Sequence, residues 1–238
     1  MTKLSKRLTI ITNVLIFITI VSVYAISFMP KKALQTYSKD TISAIYNGNR
    51  KENNVSLMFN VYENTQTVND IIDVLNEKKV KATFFVGGCW ADDNERTLRR
   101  IIDCGHELAN HGYFHKDHKN LSYEENCQEI LNTGNIVKAL CGAELKLFAP
   151  PSGSFSPNTL RASFDLGYKV IMWSKDTIDW RDSDTTLIYN RATKNLSGGD
   201  LVLMHPKKHT LKVLPSIIDY YLQVGFNVVS VSKNIENT

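Results

Sequence analysis

The chain has 238 residues, 43% of them hydrophobic and 22% charged, with a formal net charge of +4. That length carries one large domain with a sizeable core, and the composition excludes a disordered or low-complexity chain. No Arg/Lys stripe with interleaved aromatics is present, which excludes nucleic acid as the expected partner; the mild charge reads as solvated surface, suited to anionic wall polymers or lipid headgroups.

Residues 1–7 form a basic head with Lys3, Lys6 and Arg7, and residues 8–29 carry no charge. As a helix rising about 1.5 Å per residue, that run reaches about 33 Å, enough for a bilayer's hydrocarbon core. It exceeds a secretory h-region of about 7–15 residues. The sequence therefore predicts one N-terminal transmembrane helix, a signal-anchor in the cell membrane with the main domain extracellular. Cleavage after Ala25 is the alternative and would leave the domain secreted. Pro30, Lys31 and Lys32 stop the run, and residues 30–53 read as a polar linker.

The main domain, residues 54–238, alternates two periodicities. Residues 55–59 are a short apolar run of strand length, and Val68, Ile71, Ile72, Val74 and Leu75 then share one helical face. Residues 82–86 predict a second strand, ended by Gly87 and Gly88. A helix follows from near Asp92, with Leu98, Ile101 and Ile102 inward and its stop at Gly105. A third strand leads into Asn110. Ser122 and Glu125 are spaced as a capping box opening a helix to about Leu140. Residues 145–148 are strand-like, and Ser156-Pro157 starts a helix ending at Gly167. Further strands are predicted over 169–173, 201–204 and 226–231, with helices around 183–196 and 211–224 between them. Cys89, Cys104, Cys127 and Cys141 have no CxxC spacing, so neither a zinc knuckle nor a redox pair is indicated.

Six or seven strands separated by helices imply parallel β/α units in an α/β fold. A barrel and an open sheet both fit. The chemically capable residues come just after strands: Asn60, His111, Pro150, Asp176 and His205. Five such positions on one rim favour a closed or nearly closed barrel. His111 and His115, four residues apart, are spaced to converge on a single ion.

Four collinear segments carry a family resemblance: Ala82-Thr-Phe-Phe, Asn110-His-Gly-Tyr-Phe-His115, Asp176-Thr-Ile-Asp-Trp180 and Leu203-Met-His205-Pro. With them the chain resembles the polysaccharide deacetylases of NodB homology, most of all a sporulation-associated Firmicutes branch. The resemblance implies a distorted (β/α) barrel of about seven strands. It also implies hydrolysis of the N-acetyl groups of a cell-wall polysaccharide, of N-acetylglucosamine or N-acetylmuramic acid type. A divalent metal, zinc first and cobalt or nickel next, would be held by His111 and His115 with a carboxylate. His205 would be the acid, oriented by Asp176, and Trp180, Leu203, Pro150 and Tyr62 would contact substrate.

The sequence departs from that pattern at the acidic half of the site. Asn60 and Val61 stand where the resemblance expects the base and the metal-binding aspartate, and neither an amide nor an isopropyl group can replace them. Ala149 stands where an arginine pairs with the base, Ser152 replaces an aromatic residue, and Gly112 replaces Ser or Thr. Three readings follow. One is a weak deacetylase completed by Glu63, Asp117 or His118. Another is an inactive glycan-binding protein using Tyr62, Trp90, Trp173 and Trp180. The third is a membrane-anchored scaffold with a protein partner that the sequence does not identify.

Overall fold

The computed structural model describes residues 42–236, together with residues 12–14, 16, 17, 19 and 21, which are helical. The membrane span expected over 8–29 lies largely outside the described residues; among these, no helix is long and apolar enough to cross a membrane.

Strand β1 (Asn54–Val61) is the axis of the domain and is buried along its whole length. Leu57, Phe59 and Val61 pack against helices, whereas Met58 joins a separate cluster inside the ring of strands. That split follows from the period of two along a strand with both faces covered. The strands β2 (Thr83–Val86), β3 (Glu107–Asn110), β4 (Leu147–Phe148) and β5 (Lys169–Val170) extend the sheet on one side of β1. On its other side lie β7 (Asp200–Met204) and then β6 (Lys175–Asp176). All these pairings are parallel. A short β8 (Asn227–Val228) pairs with the first two residues of β1.

The seven-stranded order β5-β4-β3-β2-β1-β7-β6 is not closed by a ladder between its two edges. Those edges are instead two halves of one segment, residues 169–176. Ile171 N–H donates to the Phe148 carbonyl at 2.8 Å, and three residues later Ser174 N–H donates to Leu201 at 3.0 Å. One splayed strand therefore touches both ends of the sheet, which is the distortion of the barrel.

The crossover helices cover the outside: α1 (Thr65–Glu77), α2 (Gly88–Asp92), α3 (Glu95–Asp103), α4 (Tyr123–Cys141), α5 (Pro157–Asp165), α6 (Thr185–Thr193) and α7 (Lys208–Gln223). The helix expected from near Asp92 begins at Glu95 as α3, with the unexpected short α2 before it, and Ile102 faces outward, not inward. The capping box of α4 forms as expected, with Ser122 accepting from Glu125 N–H and Glu125 accepting from Ser122 N–H. The strands expected over 169–173 and 226–231 shrink to two residues each, the latter followed by α8 (Val231–Asn234).

The short helix α8 closes the bottom of the ring. Val231 and Ile235 pack among Met58, Phe85, Ala109 and Leu201 in the interior. Polar bonds pin this segment to the starts of three strands: Val231 N–H to Thr83 Oγ1, Ser232 N–H to Glu107 Oε2, and Asn234 Nδ2 to Ser56 Oγ. With the lower end filled by apolar side chains, the polar residues gather at the carboxyl ends of the strands.

Candidate functional site

The upper rim holds a cavity of about 260 Å³ lined by residues from five strand ends, among them Asn60, His111, Ser152, Asp176 and His205. Tyr62, His115, Trp173, Trp180 and Leu203 complete its wall. The two histidine loops, far apart in sequence, thus face one space. Val61, Ala149 and Pro150 do not line it. Val61 is fully buried in the helix-facing core, and Pro150 leads into a single 3-10 turn, Pro151–Gly153.

His111 sits at the end of β3 with its Nδ1 2.7 Å from the Ala149 carbonyl. A carbonyl can only accept, so Nδ1 carries the proton and Nε2 keeps its lone pair. Position 149 therefore serves through its backbone. Burial pulls the His111 pKa down to about 3, assisted by the neighbouring His115, so the ring is neutral at physiological pH. Burial also lowers His115, whose ring centroid lies 5.1 Å from that of His111.

The loop between them is shaped from behind. Gly112 has φ +73, and a Cβ there would meet His118 Nε2 at 2.9 Å, which explains why neither Ser nor Thr stands at this position. Glu129 of α4, itself buried, accepts from the N–H groups of Tyr113 and Phe114 at 2.9 and 2.8 Å and pairs with Lys116. His118 is wholly buried, bonded through Nδ1 to Asn126 at 2.7 Å, and does not reach the cavity. Asp117 caps the turn at His118–Asn120. Glu63 pairs with Lys207. None of the three side chains proposed to complete a metal site joins the imidazoles.

The residue that orients His205 is Asp179, not Asp176. Asp179 Oδ1 lies 2.8 Å from His205 Nδ1, and Oδ2 accepts from His205 N–H at 2.8 Å and from Thr210 Oγ1 at 2.6 Å. Asp176 instead lines the cavity and accepts from Ile178 N–H at 2.8 Å. The backbone reverses between the two aspartates at Ile178, held at φ 55. A β-branched residue is strained in that conformation, and the turn it makes delivers Asp179 to His205. The fixed Nδ1 leaves His205 Nε2 as the nitrogen available to a ligand.

Aromatic side chains frame the opening. Trp180 is 53% exposed, and Trp173 lines the wall. Tyr62 packs at a tilt against His115 with centroids 4.3 Å apart, and burial with the adjacent Glu63 raises its phenol pKa. Trp90 does not belong here: it is buried among the helices and donates to Thr65 Oγ1 at 3.0 Å.

The donor set does not fit the zinc, cobalt or nickel ion that the resemblance implies. A catalytic zinc takes three protein ligands and a structural one four. Two neutral imidazoles stand here, and among the described residues no third His, Cys, Asp or Glu completes a metal-binding group with them. The position expected to supply a carboxylate is Val61, and the neighbouring Asn60 offers an amide whose Oδ1 is buried without a hydrogen-bond partner.

A sequence model described as polysaccharide deacetylase matches residues 47–171. The chain is 32% identical over 167 residues to peptidoglycan-N-acetylmuramic acid deacetylase PdaA of Bacillus subtilis, covering 68% of this chain and 63% of that protein. It is 29% identical over 194 residues to protein YlxY of the same organism, covering 82% and 61%. Among solved structures, a wild-type CE4 family pseudoenzyme from Bacillus anthracis superposes with a TM-score of 0.79 at 31% identity, over 82% of this chain and 69% of that one. A mutant of that pseudoenzyme is described as having restored enzymatic activity. The chain spans 61% and 63% of the length of the two curated relatives.

Proposed function

Because the chain belongs to the polysaccharide deacetylase family, we propose that it binds the acetamido sugars of cell-wall glycan in the rim cavity and has lost efficient hydrolysis of them. One observation carries this reading: the cavity keeps the family's imidazoles but has an amide at Asn60, the position of the base, and no carboxylate beside His111 and His115. Metal-assisted deacetylation needs a base to take a proton from water and a third ligand to hold the ion. When bound, such an ion would polarise the acetyl carbonyl; this chain's residues do not hold it.

What remains supports binding. His205 Nε2 is a fixed hydrogen-bonding group, Asn60 offers an amide, and Trp173, Trp180 and Tyr62 present aromatic faces of the kind on which sugar rings stack. Wall glycan lies outside the cytoplasm, and the uncharged run at 8–29 with its basic head supports a domain held at the outer membrane face or secreted.

The test pairs two measurements on the same protein. Calorimetric titration with N-acetylglucosamine oligomers is expected to show binding that weakens on Trp180→Ala, while acetate release stays at background across zinc, cobalt and nickel. Acetate release at rates typical of an enzyme, about 1 per second or faster, would overturn the loss of hydrolysis.

A further inference from the structure

We propose that the cavity tells N-acetylated from de-N-acetylated sugar, and that the Asn60 side chain makes the distinction. This inference rests on the glycan-binding reading and narrows its ligand. Asn60 stands near the end of β1, is 3% exposed, and lines the cavity. Its Oδ1 is buried and has no hydrogen-bond partner in the protein. A buried acceptor left unpaired is costly, and the observed exceptions call for a ligand or a water to satisfy them. Whichever way the amide is turned, it presents one acceptor and two donors without charge.

A neutral acetamido group matches such a partner, because it too carries an N–H donor and a carbonyl acceptor. The de-N-acetylated sugar carries an ammonium in its place. That cation loses the acetyl oxygen and brings a charge against a wall made largely of aromatic and apolar side chains, where a carboxylate is needed to compensate it. The carboxylates nearby are committed or placed aside. Asp179 uses both oxygens on His205 and Thr210. Glu63 pairs with Lys207. Asp176 accepts from Ile178 N–H and lies on the border with a neighbouring groove, which it also lines. Asp176 is the one carboxylate among the lining residues, and β7 separates its strand from that of Asn60; no lining residue of β1 or β7 is a carboxylate. An aspartate at position 60 would compensate a cation there.

The experiment uses the full chain, a tetramer of N-acetylglucosamine and a tetramer of glucosamine, at a pH that keeps the amines protonated. Calorimetry and the fluorescence of Trp173 and Trp180 report binding. The acetylated oligomer is expected to bind about tenfold more tightly or better. Asn60→Asp, which keeps the side-chain shape, is expected to bring the two affinities to within about threefold, mainly by strengthening the amine. Asn60→Ser serves as a second variant and is expected to weaken the acetylated oligomer alone. Equal affinity of the native chain for both oligomers overturns the selectivity while leaving glycan binding intact. An unchanged ratio in both folded variants overturns the assignment to Asn60. Failure of the native chain to bind either oligomer overturns both readings.

Discussion

At the scale of single residues, the site is a set of retained imidazoles around replaced carboxylates. Val61 and Asn60 differ in where they put their side chains: Asn60 lines the cavity, whereas Val61 is fully buried among apolar neighbours. The variant Asn60→Asp with Val61→Asp restores both acidic positions of the resemblance. Without metal it is expected to lose about 3 kcal/mol of stability, because an unpaired carboxylate at position 61 sits in the core. Added zinc is expected to raise its melting temperature and leave the native chain unmoved. A melting temperature of the variant indifferent to zinc would remove position 61 from the ligand set. The imidazoles of the site were legible in the sequence, since His111, His115 and His205 follow apolar runs that end in strands. The partner of His205 was not. Asp176 and Asp179 are chemically equivalent in sequence, and only the left-handed turn at Ile178, which no propensity rule anticipates for isoleucine, selects the second.

Among elements, α4 does more than cover the sheet. Its Glu129 takes two backbone N–H groups from the loop that carries His115, and Asn126 on the same helix fixes His118 behind it. Replacing Glu129 with Ala leaves those donors without their partner in a partly buried setting. The expected loss is about 2–3 kcal/mol in urea unfolding, with faster hydrogen exchange at Tyr113 and Phe114. Stability and exchange both matching the native chain would show that the loop holds itself. The helices, their caps and the longer strands were legible because each has enough residues to display a period. β4, β5, β6 and β8 have two residues each, too few to show one. Their pairing is decided by neighbours far away in sequence.

Across the whole molecule, burial favours the neutral form of His111 and His115 in the site and of a lower ring, His106. Burial lowers His106 to about 4, helped by Lys81, and His111 to about 3. Both rings titrate near 6.5 once unfolded, so below that pH the unfolded chain takes up protons that the folded chain refuses. Stability is therefore full above pH 6.5 and falls progressively as pH drops toward 3. The urea midpoint is expected to be flat between about pH 7 and 8 and to decline through pH 5 and 4. A midpoint constant down to pH 4 would mean that these rings do not stay neutral in the fold. The alternation of strands and helices predicted a ring with its chemistry on one rim, and the fold has that form. How the ring meets itself was hidden, because one segment shared by two edges looks in sequence like a single ordinary strand. That seam has a mechanical meaning. Ladders fix the spacing of the inner strands, but residues 171–174 are tied to each flank by isolated bonds, and Trp173 stands between them. A bulky guest pressing outward meets a stiff wall beside His111 and a yielding one beside Trp173, so adjustment to girth belongs to the indole side.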